Sequence, residues 1–155
     1  MSPEDLAVVR ALVEAWDHRD IAAVIHDWYA NANDPEAVVQ ATREFAEQDP
    51  GWRNLHPEIV WDVAATGGVG AVVRGIDELG AWWRDWAGLW ESYVTHLVGV
   101  QDLGDWALAP VDVEARGRDG IPLTMRVFQL FQVEDGKVSA ARFFLSEAEA
   151  TEAAR

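Results

Sequence analysis

Residues 76–97 read Ile-Asp-Glu-Leu-Gly-Ala-Trp-Trp-Arg-Asp-Trp-Ala-Gly-Leu-Trp-Glu-Ser-Tyr-Val-Thr-His-Leu, and this stretch decides the fold class. Leu79, Trp82, Trp83, Trp86, Leu89, Trp90 and Tyr93 recur at helical spacing, while Asp77, Arg84, Asp85 and Glu91 lie off that stripe. The spacing predicts an amphipathic helix from Ile76 to about Tyr93. Beyond it the pattern changes to strands over Tyr93–Val100, Trp106–Arg116, Pro122–Val133 and Lys137–Leu145. Gly104-Asp105, Asp119-Gly120 and Asp135-Gly136 fall between those runs as hairpin turns. A helix that feeds an antiparallel meander belongs to the α+β class.

Upstream of this stretch the chain reads mainly as helix. Ser2 is an N-cap with Pro3 at the first helical position, and Leu6, Val9, Leu12, Val13 and Trp16 follow at helical spacing. A second helix runs from about Asp20 through Ile21, Val24, Ile25 and Trp28. Asn33-Asp34-Pro35 opens a third, from Glu36 to about Gln48, and Asp49-Pro50-Gly51 stops it. Ile59 to Val63 reads as a short strand, Thr66-Gly67-Gly68 as a turn, and Ser146 starts a final Ala/Glu helix.

The 155 residues hold 12 Lys and Arg against 27 Asp and Glu, a formal charge of −15, with nine Trp and no Cys. A single domain, residues 1–155, is the expectation for that length. The charge excludes a basic footprint for nucleic acid and disfavours anionic membrane surfaces. The absence of thiols removes disulfides, Cys–zinc sites and thiol nucleophiles. No apolar run approaches the roughly 18 residues of a membrane helix, and the N-terminus lacks a signal-like pattern, so the expected location is cytoplasmic. His18-Arg19-Asp20 imitates a kinase tripeptide, but Ile25 stands where the catalytic Asn is needed. Gly68-x-Gly70 has Val73 in place of a third glycine. The four His are scattered without ligand spacing, so neither a metal nor another cofactor is expected.

Five blocks carry a family resemblance. They are Leu12-Val-Glu-Ala-Trp16 with Asp20-Ile-Ala-Ala-Val24, His56-Pro-Glu-Ile-Val-Trp-Asp62, Arg74-Gly75, Asp102-Leu-Gly-Asp105, and Met125 through Val138. In this order they resemble the nuclear transport factor 2-like superfamily, within it the SnoaL-like branch. The resemblance implies a curved antiparallel sheet wrapped by the N-terminal helices, forming a cone with one deep hydrophobic pocket. Ketosteroid isomerases, limonene-epoxide hydrolases, polyketide cyclases and non-catalytic binding modules share that fold, so fold alone does not give function. Residues 31–55 are longer than in typical members and are expected to add a helix over the pocket mouth.

The resemblance places Asp62 where the isomerases keep their proton-abstracting carboxylate. A carboxylate among aromatic walls suits the taking and returning of one proton; the alternative is a strand-end Asp facing water. Asp112 falls where the epoxide hydrolases keep a general acid, although Pro110 and Phe143 replace the rest of that set. Gln129 interrupts an apolar strand at the position of the isomerases' oxyanion-stabilising acid, while Leu12 stands where their Tyr would be. His96 is an acid/base partner if its register faces inward and a surface residue otherwise. The expected pocket walls are Leu12, Trp16, Trp61, Leu79, Trp83, Trp86, Tyr93, Met125, Val127, Phe131 and Phe143. Together these imply a cofactor-independent acid/base enzyme, of isomerase, cyclase or lyase type, acting on a small hydrophobic carbonyl or cyclic compound. The alternatives are a non-catalytic pocket for such a molecule and a hydrolase with altered epoxide-opening machinery. A homodimer is expected, because outward Phe128, Leu130 and Phe144 would otherwise face water.

Overall fold

The computed structural model describes residues 1–66 and 72–155. The turn expected at Thr66-Gly67-Gly68 therefore lies outside the described residues beyond Thr66, as does Gly68-x-Gly70. Helix α1 (Pro3–Trp16) is capped by the Ser2 hydroxyl, which accepts from the Asp5 N–H. Helices α2 (Ile21–Tyr29) and α3 (Pro35–Gln48) are capped in the same way by Asp20 and Asp34. Strand β1 (Leu55–Asp62) begins four residues ahead of the sequence reading; Pro57 and Glu58 are exposed there, so the segment lacks the apolar alternation that marks a strand. A short strand β2 (Val72–Arg74) then leads into α4 (Ile76–Ala87).

The main correction to the element reading falls at the end of α4. The helix stops at Ala87, not near Tyr93, and β3 (Trp90–Leu97) starts two residues after Gly88. Trp90 and Tyr93 are thus strand residues, and three Trp rather than four stand on the helix. Residues 90 and 93 fit a helical period and a bulged strand equally well, and the register of β3 on its neighbour does shift between Trp90 and Ser92. The His26 imidazole closes the helix end by donating from Nε2 to the Ala87 carbonyl at 2.7 Å.

Strands β4 (Gln101–Asp102), β5 (Ala107–Gly117), β6 (Pro122–Glu134) and β7 (Lys137–Phe144) complete a seven-stranded sheet of order β2-β1-β7-β6-β5-β3, with β4 added on β5. Asp135 and Gly136 take φ of 53° and 74°, the left-handed pair that a tight hairpin needs between β6 and β7. The sheet is mixed, which corrects the all-antiparallel expectation, because β1 runs parallel to β7. That pairing joins residues at least 80 positions apart, as in Asp62 with Arg142, and leaves no local signal. Register shifts in β1–β7, β3–β5 and β6–β7 accompany the curvature of the sheet, which is not closed.

Strand alternation divides the sheet into two faces. Ala107, Ala109, Phe131, Ala141 and Trp61 join the main core beneath α1, α2 and α4. Leu108, Leu130 and Phe144 lie on the other face, where helix α5 (Glu147–Ala153) covers them through Ala150. Leu130 is fully buried and Phe144 is 5% exposed within the single chain. The chain's own C-terminal helix thus covers Leu130 and Phe144, while Phe128 of the same face stays half-buried. Nor does α3 cover a pocket mouth as expected. It packs behind α4 and α2, where Phe45 stacks on Trp52 and Trp28 with centroids 4.6 and 5.0 Å apart. No helix among the described residues is long and apolar enough to cross a membrane.

Candidate functional site

The helix-bearing face of the sheet encloses a cavity of about 330 Å3. That is near the lower end of the roughly 300–1,000 Å3 typical of small-molecule sites. Leu12 and Trp16 of α1, Trp83 and Trp86 of α4, and Trp61 of β1 line it. Tyr93 of β3, Met125, Val127, Gln129 and Phe131 of β6, and Phe143 of β7 complete the walls anticipated above. Leu79 does not line the cavity; it is fully buried in the core one turn before Trp83 on the same face of α4. Sequence reasoning missed Val13, Ile21, Trp52, Thr95 and Val111, which also face the space. For Val111 the signal existed, since it shares strand parity with Ala107 and Ala109. Trp52 sits in a turn with no period to read. Leu89 and Leu145, 64% and 52% exposed, mark the side on which the cavity opens.

The aromatic rings brace one another. Trp83 meets Trp52 at 4.9 Å and 82°, and Trp61 at 5.3 Å and 70°, both edge-to-face. The indole N–H groups of Trp52, Trp61, Trp83 and Trp90 are buried without a hydrogen-bond partner. Edge-to-face packing places ring edges against the electron-rich ring faces of neighbours, a weak substitute acceptor for such N–H groups. Trp16 differs: its Nε1 donates to the Gly51 carbonyl at 3.1 Å, and the Arg19 guanidinium lies 4.5 Å over its ring. Arg19 in turn grips buried Asp49 with two bonds of 3.1 and 2.7 Å, so one ion pair fixes this wall.

Three of the four residues expected to do chemistry are not in the cavity. Asp62 adjoins Trp61 on a strand, and neighbouring strand residues point to opposite faces. With Trp61 inward, Asp62 turns outward, where Arg142 lies 3.6 Å away and the Ala64 N–H donates to its carboxylate at 3.0 Å. Asp112 is likewise outward between buried Val111 and Val113. Arg126 holds it by a two-pronged contact of 2.7 and 3.0 Å; that hydrogen bond, then the positive charge, keeps its carboxyl below the usual carboxylate range. His96 pairs across the strands with Asp112 and takes the same outer face. Its Nδ1 lies 2.8 Å from His18 Nδ1, so one ring donates to the other, and its Nε2 is 3.1 Å from Glu114. Only Gln129 enters the cavity, and its amide donates to the Ala109 carbonyl at 3.1 Å.

Among the described lining residues there is no Asp, Glu, His, Lys or Arg, and Tyr93 is the sole titratable side chain. Burial pushes its phenol well above the usual value, so it is a neutral O–H throughout the physiological range. Resemblance places Asp62, Asp112 and His96 along the chain but not on a face, whereas a strand's two faces are fixed by parity.

The SnoaL-like domain family matches residues 9–141. The chain belongs to that family. The fold is shared with a nuclear transport factor 2-like protein of unknown function from Burkholderia pseudomallei K96243, at TM-score 0.60 and 15% identity over 98% of this chain and 97% of that one. It is also similar to a protein named as a SnoaL-like polyketide cyclase from Jannaschia sp. CCS1, at TM-score 0.59 and 16% identity over 99% and 94% of the two chains. A third similar structure is TerC co-crystallised with polyporic acid, at TM-score 0.57 and 16% identity over 78% and 98%. No curated protein matches the chain. At these identities the likeness to the solved structures shows the nuclear transport factor 2-like fold and nothing finer.

Proposed function

We propose that this SnoaL-like domain binds an uncharged, largely aromatic small molecule inside its cavity, without a charged side chain acting on it there. The observation that carries this reading is the lining: aromatic and aliphatic walls with no formal charge among the described residues. A buried carboxylate or ammonium on the ligand would have no counter-charge and would forfeit its hydration. Flat apolar surface, by contrast, gains both the hydrophobic term and offset or edge-to-face ring contacts. Binding rather than proton transfer is favoured because Asp62, Asp112 and His96 are engaged on the opposite face of the sheet. An alkylammonium would be held by ring faces alone, with no counter-charge among the described lining residues.

Calorimetric titration with three naphthalenes of like shape tests the reading: 2-acetonaphthone, 2-naphthoate and 2-naphthylmethyl-trimethylammonium. The neutral ketone is expected to bind at least about tenfold tighter than either ion, the size of one modest desolvation penalty. Asp62→Asn should leave that affinity unchanged. Equal or tighter binding of an ion, or no binding of any of the three, overturns the proposal.

A further inference from the structure

The cavity's polar groups are mostly spoken for. The Thr95 hydroxyl donates to the Trp16 carbonyl, the Thr66 hydroxyl to the Val63 carbonyl, and the Gln129 amide to the Ala109 carbonyl. The four partnerless indoles are sealed among packed rings, where no ligand atom reaches them. Two groups stand apart from both sets. The Tyr93 hydroxyl and the Trp86 indole N–H have no hydrogen-bond partner among the described residues, and neither is sealed by packed atoms. Their rings meet edge to face at 4.7 Å and 72°, so the two side chains stand side by side in the cavity wall.

Register places this pair away from Gln129. Tyr93 is opposite Ala115, and Ala115 is opposite Leu123, six residues from Gln129 along β6. Six strand residues span about 20 Å, so Gln129 cannot share a ligand oxygen with Tyr93. A phenol buried among Trp86, Trp90 and aliphatic neighbours keeps its proton, so an O–H is always on offer. Leaving such a donor unmatched costs more than the bond gains when made, which favours ligands that carry an acceptor.

We infer that the Tyr93 hydroxyl, with the Trp86 N–H beside it, is the specificity-determining donor of the cavity. It selects, among neutral aromatic molecules, those bearing a hydrogen-bond-accepting oxygen such as a ketone, ester or quinone carbonyl. This rests on the proposed binding of a neutral aromatic ligand, and the test separates the two. The probes are 2-acetonaphthone and 2-isopropenylnaphthalene, which replace C=O by C=CH2 at nearly the same shape. Tyr93→Phe is expected to weaken the ketone three- to tenfold, the span of one net hydrogen bond, and to leave the alkene within twofold. The infrared carbonyl stretch of the bound ketone should lie below its position in an apolar solvent and return towards it in Tyr93→Phe. Trp86→Phe gives the same pattern more weakly and serves if the first variant folds poorly. Equal losses for both probes, or an unshifted carbonyl stretch in the unmodified protein, overturn the role of Tyr93 while the binding reading stands. Failure of both probes to bind overturns the binding reading and this inference together.

Discussion

Arg19→Ala should destabilise the fold far more than its position in a surface turn suggests. Arg19 sits between α1 and α2, and its guanidinium reaches across to Asp49 at the end of α3, 2.7 Å away at the shorter contact. The side chains are 27% and 6% exposed respectively, so the carboxylate is the deeper partner. Truncation leaves Asp49 with a single remaining donor, the Gly51 N–H at 2.8 Å, and uncovers the face of Trp16. Orphaning one member of a buried pair costs about 3–5 kcal/mol. Partial exposure of Arg19 lets water into the vacated space, so the lower end applies, about 3 kcal/mol. For a chain of 155 residues this lowers Tm by roughly 6–12 °C, at about 2–4 °C per kcal/mol. The matched control is Arg43→Ala, whose 3.3 Å pair with Asp77 is more than half exposed on both sides and should cost under about 1 kcal/mol. Urea unfolding followed by Trp emission reads both, and a cycle with Asp49→Asn isolates the coupling. If Arg19→Ala costs no more than Arg43→Ala, the ion pair does not fix the Trp16 wall and the reasoning fails.

Three further outcomes can be checked. A Cβ on Gly80 would collide with Thr42 Oγ1, the atom that receives the Tyr29 O–H while donating to the Val38 carbonyl, so Gly80→Ala should cost about 1–3 kcal/mol in urea unfolding although alanine is the better helix former. Ending the chain at Leu145 removes α5 and bares Leu108, Leu130 and Phe144; light scattering should then show larger species than the full chain gives at the same concentration. Burial raises both tyrosines above their usual value. The folded state therefore holds protons that the unfolded state sheds above about pH 10, so stability is complete below that pH and falls as pH rises beyond it. Absorbance at 295 nm should show both phenols ionising together with unfolding; one ionising near pH 10 with Trp emission unchanged contradicts their burial.

The elements were legible wherever the chemistry is local. Ser2, Asp20, Asp34 and Ser146 announce their helices through side-chain caps, and Asp135-Gly136 announces its hairpin through positive φ. The end of α4 was not legible, because Trp90 and Tyr93 satisfy a helical period by chance while Gly88 alone argues for a stop. The parallel pairing of β1 with β7 is long-range and has no sequence mark. At the site, the aromatic walls could be read from periodicity and resemblance together. The charged residues could not be placed by resemblance, yet their placement was written in the alternation itself. Ala107, Ala109, Val111, Val113 and Ala115 are buried while Asp112, Glu114 and Arg116 alternate with them. Trp61 and Asp62, as neighbours on a strand, could never both face inward.

The most direct test of an uncharged cavity read by Tyr93 is a crystal structure grown with 2-acetonaphthone. The naphthalene should lie inside the sheet's helix-bearing face against Trp86, with its carbonyl oxygen about 2.7–2.8 Å from the Tyr93 hydroxyl. Ketone seated instead on the outer face beside His18, His96 and Asp112, with nothing bound among the tryptophans, would contradict it.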